Sequence, residues 1–424
     1  MLEMQKRLSN AFYALISLPS TAMGFALCIQ ISALSWLLST KYGLKIDEIG
    51  IVWASGPIAG ILGQVLIGIL SDKVWFWGGR RRPFILIGGV LASLMLFLLP
   101  RIDQVASLFG IGNLLVVAVF VAVTLDLSIN VSFNPTRSII ADVTPEGTAR
   151  LRGYTWMQTI SGFWGVAAYV IGGQLGNYVL IDLGIVLVLA FSVIPAFFIE
   201  EPREIKLPAA EAQSATDWGQ LIRIYVAHGL SWVGVQTMFV YIIAFIQQHL
   251  IAPGTPADAA NAQSGQAIGY AFAIMSTVGF ILPALVFGPL AQKIGRVRVQ
   301  VASLAVMAVA YFLIAASART PMQLYGFMAL VGVGWAAIVS LPFAIMTEKA
   351  DRSRMGYFMG IFNLSVVLPQ LFASLVLNKI IANAADKAIV FEIAGGCLAA
   401  SAVMWLLVKD DQSVAMAAAP QAAH

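Results

Sequence analysis

Apolar residues fill long stretches of this chain, and polar positions collect in short clusters between them. A helix needs about 20 residues to cross a hydrocarbon core of about 30 Å. Windows of that length find twelve candidate spans, at residues 12–39, 49–70, 84–100, 112–141, 152–176, 180–199, 219–246, 267–290, 298–317, 322–347, 355–381 and 388–408. Only helices or closed barrels satisfy backbone polar groups in lipid, and these runs are too long and continuous for barrel strands. The pattern predicts an all-α membrane protein of twelve transmembrane helices.

Composition agrees: 59% of the 424 residues are hydrophobic, only 11% are charged, and the mean hydropathy is +0.86. A chain this apolar takes lipid as its solvent. The net charge of +4 does not indicate a nucleic-acid partner, because the basic residues are spread over the gaps between spans. With the N-terminus inside, 18 of the 25 Lys and Arg residues fall in cytoplasmic segments and six outside, leaving Arg137 within a span. That bias places both termini in the cytoplasm of a cell (inner) membrane protein. The first apolar run continues to Leu38, too long for a signal-peptide core of about 7–15 residues. Cys28 and Cys397 lie inside apolar runs and give no disulfide or thiol chemistry, and no metal cluster or phosphate-binding loop stands out. No cofactor is expected, and the chain is expected to act as a monomer.

The most polar internal stretch, 200–217, falls between spans six and seven and reads as a cytoplasmic linker between residues 1–199 and 218–408. The alanine-rich tail, 409–424, is expected to be disordered. A weak repeat links the two halves. Gly68-Ile-Leu-Ser-Asp-Lys73 with Gly79-Arg80-Arg81-Arg82 follows span two, and Gly288-Pro-Leu-Ala-Gln-Lys293 with Gly295-Arg296 follows span eight. Such a parallel repeat of six is the arrangement of the major facilitator fold, with its substrate site between halves near the midplane.

The loop Ser71-Asp72 with Gly79-Arg80-Arg81-Arg82-Pro83-Phe84-Ile85 resembles that of plant sucrose:proton symporters and their bacterial relatives, within the glycoside-pentoside-hexuronide:cation symporter group. Span two (Gly56-Pro57, Gly60, Gln64, Gly68), span four (Leu125 to Asn130, Pro135-Thr136-Arg137, Ala141-Asp142) and the later runs Leu341 to Ala344 and Gly356 to Gln370 extend the likeness. At the outer end of span seven, where that family often carries acids, this chain has Ala244 to His249 without a carboxylate. The resemblance implies import of a disaccharide or glucoside, of sucrose or maltose type, driven by protons through alternating access, and no enzymatic activity.

Of the 21 acidic residues only Asp126 lies near the middle of a span. A carboxylate there costs about 2.5–3.5 kcal/mol on translocon scales, so it persists where it is paired, hydrated or titrating for function. Asp126 is the expected proton carrier; the competing reading is a permanent ion pair that fixes packing. Asn130 and Arg137 return to nearly the same helical face, and Arg137 lies about 16 Å further along the axis. Three readings of Arg137 stand: it bonds sugar hydroxyls, pairs with Asp126 through movement, or snorkels to the cytoplasmic face. Sugars require amides and flat apolar faces. Gln30, Gln64, Asn130, Gln158, Asn363 and Gln370 are the expected substrate-binding amides. Trp53, Trp232, Tyr241 and Trp335 are among the possible platforms, although most such aromatics only pack. Asp72 with Arg80, Arg81 and Arg82 is expected to latch the two halves, against the plainer reading of topology alone. His228 and His249 read as interface residues.

Three other functions share these features. A sodium-coupled sugar symporter typically gathers several carboxylates on spans two and four, whereas span two here has none in its core. A proton-driven efflux antiporter shares the fold and the loop signature. A membrane binding or assembly factor without transport would gain nothing from an acid in lipid.

Overall fold

The structure is a computed structural model that describes residues 3–61, 63, 70, 74–145, 148–203, 216–351 and 355–410. Twelve principal helices follow one another: α1 (Asn10–Thr40), α2 (Ile46–Trp53, with 55–61 also helical), α3 (Arg82–Leu98), α4 (Leu114–Val143), α5 (Thr148–Leu175), α6 (Asn177–Phe198), α7 (Trp218–His249), α8 (Ala257–Leu282), α9 (Arg296–Ser317), α10 (Pro321–Lys349), α11 (Met355–Leu375) and α12 (Ile389–Trp405). Short polar side chains start several of them. Ser9 accepts from the Phe12 amide, Asn113 from Leu115 and Asp217 from Gln220, each satisfying a donor that has no partner in the helix.

Among the described residues, nine helices are long and apolar enough to cross a membrane. The expected spans outside that set have separate causes. Span two lies largely outside the described residues, α12 is only 17 residues long, and α5 carries Arg150, Arg152 and Gln158 within its 28 residues. The eighth helix begins at Ala257, ten residues before the expected start at 267. Its first turns hold Asp258, Asn261, Gln263 and Gln266, which lower the hydropathy. They line a cleft of about 620 Å3 shared with Trp36 and Asn177.

The chain forms two compact units, Met1–Pro208 with Gly254–Ala273, and Ala209–Pro253 with Ile274–His424. In the first, α1 packs on α5 and α6, and α3 packs on α4 and α6. In the second, α7 packs on α11 and α12, and α9 packs on α10 and α12. The pairings repeat with an offset of six helices. The first unit has a close seam where a Cβ on Gly269 of α8 would lie 2.5 Å from the Gly173 backbone nitrogen of α5. Only two glycines allow helices to approach this closely.

Candidate functional site

Asp126 sits midway along α4, 4% exposed. Its carboxylate is held by neutral donors: Gln30 of α1 donates to Oδ1 at 2.9 Å, and the Ser55 hydroxyl donates to Oδ2 at 2.8 Å. Gly56 brings the span-two backbone against it, since a Cβ there would stand 3.3 Å from Oδ2. Among the described residues no Lys or Arg forms an ion pair with Asp126. Among those residues the packing-pair reading of this acid finds no cation. Two neutral donors stabilise an ionised carboxylate without committing it to that state, and they leave oxygen lone pairs over for a proton.

The other expected residues of the first unit have separate surroundings. Asn130 turns its amide back to the Asp126 carbonyl at 2.8 Å. Arg137 is exposed, with its guanidinium carbon 4.4 Å from the Phe133 ring centre, and Tyr154 donates to its carbonyl oxygen at 3.2 Å. Gln158 is exposed on α5 between the exposed Thr155 and Thr159. Gln64 lies outside the described residues, as does Asp72. In the second unit, Asn363 and Gln370 are half-buried on α11.

Of the expected platforms, Trp53 donates to Ser35 Oγ at 2.7 Å and Tyr241 donates to the Ala373 carbonyl at 3.2 Å, both buried in packing. Trp232 and Trp335 are half-buried and meet edge to face at 6.0 Å. His228 departs from its expected interface position: it is 2% exposed, inside the second unit.

The three arginines are organised by residues that hydropathy did not single out. Glu201, just past α6, receives the backbone N–H groups of Arg80, Arg81 and Arg82 at 2.8, 2.9 and 2.7 Å. An anion at the start of α3 satisfies its orphan donors and complements its dipole. Arg81 Nε also reaches Asp142 Oδ2 of α4 at 3.0 Å, with both side chains largely buried. Ser55 was likewise missed, though a small polar residue beside Gly56-Pro57 in an apolar run was its one signal.

Comparison with known proteins adds to this geometry. The Major Facilitator Superfamily model matches residues 16–247 and 237–423. The chain is 30% identical over 175 residues to a general alpha-glucoside permease of Schizosaccharomyces pombe, covering 37% of this chain and 31% of that protein. It is 22% identical over 423 residues to a sucrose transport protein of Arabidopsis thaliana, covering 85% of this chain and 82% of that protein. Among solved structures, the nucleoside transporter NupG shares the fold with a TM-score of 0.68 at 14% identity, over 94% of this chain and 99% of that one. The inward open xylose transporter XylE from E. coli gives 0.67 at 15%, over 94% and 96%. With both halves matched by the superfamily's model and the fold shared end to end with these two transporters, the chain belongs to the Major Facilitator Superfamily.

Proposed function

We propose that this chain is a proton-coupled symporter that imports a disaccharide or glucoside of sucrose or maltose type, with Asp126 as the proton carrier. The observation that carries the reading is the Asp126 carboxylate, buried in α4 and held, among the described residues, by the neutral Gln30 and Ser55. A packing acid needs a cation, and a sodium cage needs several oxygens from carboxylates and carbonyls. A single acid among neutral donors suits a proton. The sugar class is supported by the sucrose and alpha-glucoside relatives, and by the amides on α1, α4, α5 and α11.

In this reading protonated Asp126 donates to a sugar hydroxyl, and loss of the proton removes that donor and weakens binding. Asn130, Arg137, Gln30, Gln64, Gln158, Asn363 and Gln370 line the path as neutral or cationic hydrogen-bonding groups. Both termini face the cytoplasm, residues 1–199 and 218–408 act as the two moving halves, and Asp72 with Arg80, Arg81 and Arg82 latches them. The test is uptake of labelled sucrose and maltose into vesicles under an imposed pH gradient with sodium absent. Accumulation that requires an acid exterior is expected; uptake that appears only when sodium is added back, or proton-driven export, overturns the proposal.

A further inference from the structure

His228 of α7 is buried, and its Nε2 accepts the indole N–H of Trp232, one turn further on, at 3.0 Å. A neutral imidazole has one donor and one acceptor nitrogen. Accepting at Nε2 therefore puts the proton on Nδ1, and a doubly protonated ring would set two N–H groups against each other. Nδ1 is closed to solvent and has no hydrogen-bond partner among the described residues. Tyr225, three residues earlier and so on the same helical face, has a buried hydroxyl in the same condition. Two unsatisfied polar groups on one helix face reduce stability, and folding alone does not explain keeping them.

Flat rings surround the pair. Phe362 of α11 lies parallel to the imidazole, with centres 4.8 Å apart and planes at 12°, and it stands 6.3 Å from the Tyr225 ring. Trp232 meets Trp335 of α10, and both are half-buried, as are Tyr225 and Phe362. A fixed donor beside apolar faces suits a pyranose, whose C–H face packs on aromatic rings and whose ring and glycosidic oxygens only accept. Phe362 covers one face of the imidazole and leaves the in-plane Nδ1–H direction to a ligand.

We propose that His228, held as its Nδ1–H tautomer by Trp232, donates a hydrogen bond to an acceptor oxygen of the glycoside, with the Tyr225 hydroxyl as a second contact. This site rests on the sugar reading above. It is tested on the purified full chain by calorimetry with sucrose and with maltose. His228→Gln keeps an acceptor for Trp232 but loses the donor at the Nδ1 position, whereas His228→Asn keeps an amide donor there and loses the Trp232 acceptor. Affinity is expected to fall about tenfold in His228→Gln, and less in His228→Asn. Tyr225→Phe, which removes only a hydroxyl, is expected to weaken binding about threefold or more and tests the site even if the histidine variants do not fold. Wild-type affinity in His228→Gln, wild-type affinity in Tyr225→Phe where the histidine variants do not fold, or a greater loss in His228→Asn than in His228→Gln overturns the proposal and leaves His228 as an anchor for Trp232. A wild-type chain that binds neither sugar overturns the sugar reading itself.

Discussion

Gln30 donates its side-chain amide to Oδ1 of Asp126 at 2.9 Å, tying α1 to α4 across 96 positions of sequence. With Ser55 on the other oxygen, the acid is oriented by groups that never carry charge. Its protonation can then change without breaking an ion pair, which is the property a coupling site requires.

Replacing Asp126 by Asn keeps the shape and removes the titration. One proton moving through 100 mV supplies about 2.3 kcal/mol, enough for about 50-fold accumulation of a neutral solute. In Asp126→Asn the accumulation ratio in energised vesicles should fall to about one, while sugar exchange between the two sides persists at a reduced rate. Concentrative uptake at the wild-type level would remove Asp126 from the mechanism.

Proton and sugar binding must enhance each other equally if Asp126 donates to the sugar. Sugar affinity should therefore tighten as pH falls through the protonation of Asp126, by about tenfold per pH unit at most for one linked proton. Calorimetry from acid to alkaline pH measures this directly, and Asp126→Asn should be flat over the same range. A wild-type affinity that is flat, or that weakens on acidification, contradicts the donor role.

Glu201 gathers three backbone amides at the start of α3, so its loss should be felt in stability before specificity. Glu201→Gln removes the charge opposite the helix dipole and should cost about 1–2 kcal/mol. Thermal unfolding in detergent should show a lower midpoint, with the ranking of sugars in a competition assay unchanged. An altered ranking with an unaltered midpoint would count against this role.

The seam between Gly173 and Gly269 leaves no room for a methyl group, because the nearest atoms to a Cβ on Gly269 are backbone. Gly269→Ala can be relieved only by moving α8 away from α5. Ala273, one turn on from Gly269 and therefore on the same face of α8, is 5% exposed and reports on that movement. With Cys28 and Cys397 replaced by Ser, Ala273→Cys should react faster with a maleimide in the Gly269→Ala background than in its absence. Equal rates would mean that the helices accommodate the methyl group in place.

Length and apolarity alone determined that this is a helical membrane protein, because lipid offers the backbone no hydrogen bonds and each apolar window has to close its own. The same reasoning isolated Asp126, since an acid in mid-span is costly wherever its helix points. What faces that acid was not legible: Gln30 and Ser55 reach it from 96 and 71 positions away, and helix rotation and packing set such contacts. Hydropathy also misplaced groups that are polar yet face protein. It started the eighth helix ten residues late, passed over Glu201 as part of a linker, and read His228 as an interface residue where the fold buries it. A one-dimensional scale records how much a residue dislikes lipid, and only the tertiary structure decides whether lipid is what it meets.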